Sequence, residues 1–284
     1  MAKIINGKEI SAQIRSEISE EVKNLKNSGV TPGLAVILVG ADPASSIYVR
    51  NKKKACEETG IYSESYELPE ETTQEQLLAL IDKLNNDPKI HGILTQMPLP
   101  KHIDKQTIIE AINPEKDVDA FHPENVGKIM IGNYDYLPCT PAGIMELLSR
   151  SGISCDGKTC VVIGRSNIVG KPMAMLLMHA NGTVTVCHTH THNLKEITSK
   201  ADILVSGVGK PHFVTEDMVK EGAVVIDVGI NRVENGKISG DVVFDEVEKK
   251  ASYITPVPGG VGPMTITMLL KNTVKSAEKS LKKY

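Results

Sequence analysis

Apolar and polar positions along this chain follow two different periods. Ile10, Ile14, Ile18, Val22 and Leu25 recur at spacings of four, four, four and three, a stripe that predicts one amphipathic helix ending near Gly29. The run GLAVILVG at 33–40 is continuously apolar between glycines, as expected of a strand buried on both faces of a parallel sheet. Asp42 then stands as a cap, with Pro43 behind it and Gly60 past the end, which predicts a second helix carrying the stretch YVRNK at 48–52. A capping box, TQEQ at 73–76, opens a third helix with Leu77, Leu80, Ile81 and Leu84 on its apolar side, stopping at NNDP. HGILTQMPLP at 91–100 reads as a buried strand closed by Gln96 and prolines. The loop-like NPEKDVDAFHPEN follows, and then the turn LPCTPAG leading into a helix at 142–150.

From Cys160 onward the short runs CVVIG, TVTVCH, DILVSG, AVVIDVG and SYITPV alternate with helical stretches. Strands and helices thus alternate on both sides of a Pro-, Gly- and polar-rich segment at about 120–145. The pattern predicts an α/β protein of two domains with parallel-sheet cores, the second a Rossmann-type dinucleotide-binding fold. A length of 284 residues suits two such domains.

Composition narrows the class. Lys plus Arg number 32 against 35 Asp plus Glu, a net charge of −3, so no basic excess points to nucleic acid or a membrane surface. The N-terminus has no apolar signal core, and no apolar run is long enough to span a bilayer. Five cysteines, none in a C-x-x-C pair, read as reduced thiols, and the expectation is a soluble cytoplasmic protein.

The candidate chemistry sits in two places. GRSNIVGKP at 164–172 lies between a predicted strand and a predicted helix, where backbone N–H groups and the helix N-terminus can hold a pyrophosphate. It departs from G-x-G-x-x-G, because Ser166 stands at the second glycine and the next glycine is Gly170. The following strand ends at CHTHT without the acid that usually takes the ribose hydroxyls of NAD. Arg165, His188 and Thr189 are available there for a 2′-phosphate, which favours NADP. The alternating His188, His190 and His192 lack a carboxylate or cysteine to complete a shell, so no metal is expected.

The other place is YVRNK, whose spacing puts Tyr48 and Lys52 on one helix face. A Y-x-x-x-K pair is the proton-transfer device of short-chain dehydrogenases. There it follows the glycine-rich turn within one domain, whereas here it precedes Gly164 by more than a hundred residues. Taken singly, Lys52 reads as a basic helix face, Gln96 as a strand end and Asp119 as a turn cap. Gly259, Gly260 and Gly262 read as a tight bend or a place where a flat ligand approaches the backbone.

The motifs YVRNK, TQMPLP, NPEKDVDAFHPENVG, PCTPAG, GRSNIVGKP, DVGINR and PVPGGVGPMT, in that order, resemble the bifunctional methylenetetrahydrofolate dehydrogenase/methenyltetrahydrofolate cyclohydrolase family over nearly the whole chain. The resemblance implies a folate-facing catalytic domain at 1–140 and an NADP-binding Rossmann domain at 141–262. The last helix, about 263–281 within the tail 263–284, would return to the first domain. It implies that Lys52 is the central catalytic group, Gln96 its orienting partner and Tyr48 a surface along the folate ring. Asp119 would receive the pterin N–H groups, with Gly259 and Gly260 also at the substrate. Gly164, Arg165, Ser166, Gly170, His188, Thr189 and Ile230 would form the cofactor site. A tetrahydrofolate substrate, a homodimer and a place in one-carbon metabolism and purine biosynthesis come with it. Small departures are Met97, Ala120 and CHTHT, where the family often has Leu, Gly and CHSKT. The rival readings are a shikimate-type dehydrogenase and a catalytically silent folate or dinucleotide binder.

Overall fold

The computed structural model describes residues 1–40, 42–232 and 236–281; the last three residues of the expected tail, 282–284, lie outside them. The elements are, in chain order, β1 (Lys3–Ile4), α1 (Gly7–Asn27), β2 (Gly33–Val39), α2 (Pro43–Thr59), β3 (Tyr62–Leu68), α3 (Gln74–Asn86) and β4 (Gly92–Thr95). They continue as α4 (Lys105–Ala111), α5 (Pro123–Met130), α6 (Cys139–Arg150), β5 (Thr159–Ile163), α7 (Gly170–His179), β6 (Thr183–Cys187), α8 (Leu194–Thr198) and β7 (Ile203–Ser206). The last are β8 (Val224–Asp227), β9 (Asn231–Arg232), β10 (Ile238–Ser239), α9 (Phe244–Val247), β11 (Tyr253–Ile254) and α10 (Val261–Leu281). None of the described helices is long and apolar enough to cross a membrane.

The chain forms two compact units, one of residues 1–12 and 138–265, the other of 13–137 and 266–284. The expected boundaries, 1–140 and 141–262, differ from this at the N-terminus. The cause is β1, which pairs in parallel with β11 and so joins residues 1–12 to the sheet of the later unit. A two-residue strand held by long-range backbone bonds, such as Lys3 N to Ser252 O and Ile5 N to Ile254 O, both 2.8 Å, is too short to show a period.

In the unit 13–137 and 266–284, β2 is the middle of a parallel sheet ordered β3-β2-β4. All seven residues of β2 are buried, which is why GLAVILV carries no polar position. Leu77, Ile81 and Leu84 of α3 pack on Ile37, Ile93 and Ile108. Full burial of a side chain of this size stabilises by about 1.5–3 kcal/mol each. The capping box forms as expected: Gln76 N donates to Thr73 Oγ1 at 3.3 Å and Thr73 N to Gln76 Oε1 at 2.9 Å. Ile14, Ile18, Val22 and Leu25 of α1 are buried. From Ile266 the final helix belongs to this unit, with Asn272 Nδ2 donating to Val118 O at 2.8 Å and Leu137 O at 2.9 Å. Three elements of this unit went unpredicted. β3, YSESYEL, is a half-exposed edge strand, α4 starts on an Asp104 cap that accepts from Thr107 N at 2.7 Å, and α5 starts inside the stretch read as loop, capped by the ring of His122, whose Nδ1 accepts from Glu124 N.

In the unit 1–12 and 138–265, a six-stranded sheet runs β1-β11-β8-β7-β5-β6, all its pairings parallel. The chain leaves β5 for β6 on one side and returns to β7 on the other. β5 is thus the topological switch, outside whose carboxyl end such sheets bind ligands. Val161, Leu204, Val225 and Ile254 form its core with Val214, Val242 and Val247.

Candidate active site

α2 places the first group. Asp42 accepts from Ser45 N at 2.8 Å to cap the helix, and Gly60, left-handed at φ 77°, ends it. Tyr48 and Lys52 then lie one turn apart, the tyrosine 39% exposed and the lysine only 8%. β4 delivers Gln96 just past its end, where Gln96 N donates to Ile37 O at 2.8 Å. Lys52 Nζ donates to Gln96 Oε1 at 2.7 Å. Gln96 Nε2 donates to Met97 O at 2.8 Å, which fixes the amide with its oxygen toward the lysine. An ammonium this buried demands a partner, and Gln96 Oε1 supplies one, so Lys52 is held in place rather than standing on a solvated helix face.

Asp119 is half-buried and lines a small cavity with Thr95 and Met97, the residues on either side of Gln96. Its neighbour Asp117 is the structural carboxylate. Buried, and for that reason raised above the ordinary aspartate value, Asp117 accepts from His122 N at 2.8 Å and Asn125 Nδ2 at 2.9 Å and holds the turn. Thr95, which the sequence did not single out, lines the same cavity, and its Oγ1 is buried with no hydrogen-bond partner. A lone threonine ending a strand carries no signal in sequence. A cavity of about 660 Å³ elsewhere in this unit is lined by residues including Tyr62, His91, Lys116 and Tyr136 and by none of the expected site residues.

The second group lies at the carboxyl end of β5. Gly164, at φ 131°, donates its N–H to Cys187 O at 2.8 Å, which sets the two strand ends side by side. A Cβ on Gly170 would stand 2.2 Å from Gly164 O, so helix α7 can approach the turn this closely only through glycine. Ser166, in the second glycine's place, accepts from Val169 N at 3.1 Å and Gly170 N at 3.3 Å and caps the start of α7. Arg165 is exposed, and His188 stands where β6 ends. The imidazole of His188 is held below its ordinary value by desolvation, then by the guanidinium of Arg165 and by His190. Two basic groups and the exposed Thr189 therefore share one corner, a donor set that fits a phosphate monoester. His188 Nδ1 accepts from His190 N at 3.2 Å, and no cluster of metal-ligating side chains occurs among the described residues.

Ile230 is 49% exposed beyond β8, within 3.9 Å of a Cβ placed on Gly262. Gly259 and Gly260 belong to this unit and not to that of Lys52. Gly259 sits at φ 112°, and a Cβ on Gly7 would meet Gly260 O at 1.8 Å. A Cβ on Gly260 itself would stand 2.6 Å from Pro256 O, so the backbone is closely packed at this bend.

A parallel sheet with a glycine turn and a phosphate-suited basic corner defines a dinucleotide-binding α/β protein, and the chain also holds a buried lysine–amide pair. Comparison with known proteins makes this specific. Residues 5–119 match the catalytic-domain model of tetrahydrofolate dehydrogenase/cyclohydrolase, and residues 138–281 its NAD(P)-binding domain. The bifunctional protein FolD of Acetivibrio thermocellus is 64% identical over 277 residues, 98% of this chain and 97% of that one. The crystal structure of the FolD methylenetetrahydrofolate dehydrogenase/cyclohydrolase of Campylobacter jejuni superposes with a TM-score of 0.97 at 55% identity, covering 99% of this chain and 100% of that one. The Trypanosoma brucei enzyme, complexed with NADP cofactor and inhibitor, gives 0.96 at 43% identity, covering 99% of each. The chain belongs to the tetrahydrofolate dehydrogenase/cyclohydrolase family.

Proposed function

We propose that Lys52 is the proton-transfer group of a bifunctional enzyme, and that Gln96, Tyr48 and Asp119 serve it. The protein is an NADP-dependent methylenetetrahydrofolate dehydrogenase and methenyltetrahydrofolate cyclohydrolase. It oxidises 5,10-methylenetetrahydrofolate to the 5,10-methenyl form and hydrolyses that to 10-formyltetrahydrofolate. The observation that carries the assignment of Lys52 is the 2.7 Å bond from its buried Nζ to Gln96 Oε1.

Hydrolysis of the methenyl cation needs a proton taken from the attacking water and one given to the departing ring nitrogen. Lys52 does both, as amine and then as ammonium. Gln96 orients it with a neutral oxygen, which adds no negative charge to lock the proton on. Tyr48, one turn away on the same helix face, offers its ring to the flat pterin and aryl groups. Asp119 accepts the paired N–H donors of the pterin, and Gly259 and Gly260 offer side-chain-free backbone to the substrate.

NADP, when bound, takes up the hydride at C4 of its nicotinamide. The chain's own work in that step is alignment. Arg165, His188 and Thr189 hold the 2′-phosphate, Gly164, Ser166 and Gly170 the pyrophosphate, and Ile230 gives the nicotinamide an apolar contact. The folate-facing unit is then 13–137 with the returning helix from Ile266, and the cofactor unit 1–12 and 138–265. A homodimer fits the half-exposed edge strand β3, which among the described residues pairs only with β2. A cytoplasmic place in one-carbon metabolism and purine biosynthesis fits five free cysteines.

The experiment is purified protein with methylenetetrahydrofolate and NADP or NAD, following NADPH and the methenyl species together. The expected result is NADPH formation with only transient methenyl. Steady accumulation of methenyltetrahydrofolate by the unmodified protein would overturn the role of Lys52.

A further inference from the structure

Asp241 is fully buried and takes no part in the site described above. Its Oδ2 accepts from Val208 N at 2.7 Å, Gly209 N at 3.2 Å and Ser206 Oγ at 3.2 Å. Its Oδ1 accepts from Lys210 N at 3.1 Å and Asn231 Nδ2 at 2.9 Å. One carboxylate thus gathers three consecutive backbone N–H groups after β7 and the side chain of Asn231 after β8. Asp241 N in turn donates to Asp227 Oδ1 at 2.9 Å, and the same carboxylate takes Gly229 N at 2.9 Å and Val242 N at 3.0 Å. Packing admits no freedom here, since a Cβ on Gly229 would lie 2.3 Å from Asp241 Oδ1 and one on Gly240 1.9 Å from Asp227 Oδ2.

The loops so held are those beside the switch strand. Gly207 N donates to Ile163 O at 2.9 Å, and a Cβ on Gly164 would meet Gly207 O at 2.8 Å, so the loop after β7 abuts the glycine turn after β5. Successive N–H groups of this kind form a nest for an anion. In the β5–α7 turn such donors would face a ligand, but in 208–210 they face inward to the protein's own carboxylate. The outer side of the loop is exposed at Gly207, Gly209 and Lys210. Among the described residues no donor reaches the carbonyl oxygens of Gly207, Val208 or Gly209.

We propose that Asp241 is a positioning residue for the cofactor. By turning the N–H groups of 208–210 inward it makes the wall of the dinucleotide crevice a row of carbonyl acceptors, suited to the hydroxyl and carboxamide donors of a nicotinamide nucleoside rather than to its phosphates. Through Asn231 it also sets the position of Ile230. The inference rests on the NADP reading of the site.

Two variants test it. Asp241→Asn keeps the shape but replaces one acceptor oxygen by an N–H₂ group aimed at N–H donors, which forces the loop outward. Ser206→Ala removes one donor from the same carboxylate on a strand that retains its ladder. Steady-state kinetics and NADP titration are run on each, with thermal unfolding to score folded protein. Expected are a rise in KM and Kd for NADP of tenfold or more for Asp241→Asn and two- to fivefold for Ser206→Ala. KM for methylenetetrahydrofolate should move less than twofold, and hydrolysis of added methenyltetrahydrofolate, which uses no nucleotide, should lose at least tenfold less than dehydrogenase kcat/KM in Asp241→Asn. A merely structural carboxylate would lower both activities in proportion to folded protein, and that result overturns the proposal. So does a KM for NADP within twofold of the parent's in both variants. If Asp241→Asn does not fold, Ser206→Ala decides by the same criterion. Parent protein that binds no NADP would instead sink the cofactor reading itself.

Discussion

Lys52→Met should separate the two activities of this enzyme. Methionine keeps the apolar stem that α2 buries and removes the ammonium that meets Gln96 Oε1 at 2.7 Å. The structural consequences oppose each other. The desolvated charge disappears, but Gln96 Oε1 loses that donor, and because Gln96 is only half-buried the loss stays below the about 1–3 kcal/mol of a fully buried unsatisfied acceptor. Gln96 Nε2 still holds Met97 O at 2.8 Å, so the amide stays in place and the fold should survive. Hydrolysis of the methenyl cation should then fall by about 10²–10⁴-fold, the usual contribution of a positioned acid/base group. Hydride loss is helped by the substrate's own nitrogen lone pair and needs alignment rather than a proton, so the dehydrogenase should fall less. The assay follows methenyl absorbance over time, corrected for spontaneous hydrolysis, with NADPH read in parallel. The variant should release methenyltetrahydrofolate where the parent yields the formyl product. A variant that hydrolyses added methenyltetrahydrofolate at the parental rate would refute the reasoning.

Arg165→Ala should narrow the preference for NADP over NAD chiefly by raising KM for NADP, as the loss of a guanidinium proposed to meet only the 2′-phosphate requires; equal kcat/KM for the two cofactors in the parent would contradict this. Asp119→Ala should damage dehydrogenase and cyclohydrolase alike, as loss of a substrate contact does, whereas damage to hydrolysis alone would make Asp119 a base. Asp227 is pushed up to about 6 by burial, against the backbone N–H groups it accepts and with the Asp241 charge adding to the rise. Its protonation therefore supports the fold fully below the ordinary aspartate value of 3.8, and that support is lost as pH rises through about 6. Asp227→Asn should flatten this part of the pH dependence of the denaturation midpoint between about pH 4 and 7, and parallel curves for variant and parent would count against it.

Wherever one local rule acted alone, the amino-acid order was enough. The stripe Ile14, Ile18, Val22, the all-apolar β2, the Thr73 capping box and the Asp42–Pro43 start of α2 are each decided by neighbours a few residues apart, through period, cap or burial on both faces. Turn chemistry marked Gly164 and Gly170, and helical spacing put Tyr48 and Lys52 on one face. What distance along the chain separates, only the folded molecule joined. Gln96 reaches Lys52 across 44 positions, because β4 ends where α2 passes, and this pairing turns a basic helix face into a buried, partnered lysine. β1 left the first unit because its hydrogen bonds lie with β11. Asp241, in the unremarkable stretch SGDVV, became the keystone of two loops through donors 10 to 35 positions away. Carboxylates and amides acquire such roles from desolvation and the geometry of their partners, quantities that exist only once the sheet has closed over them.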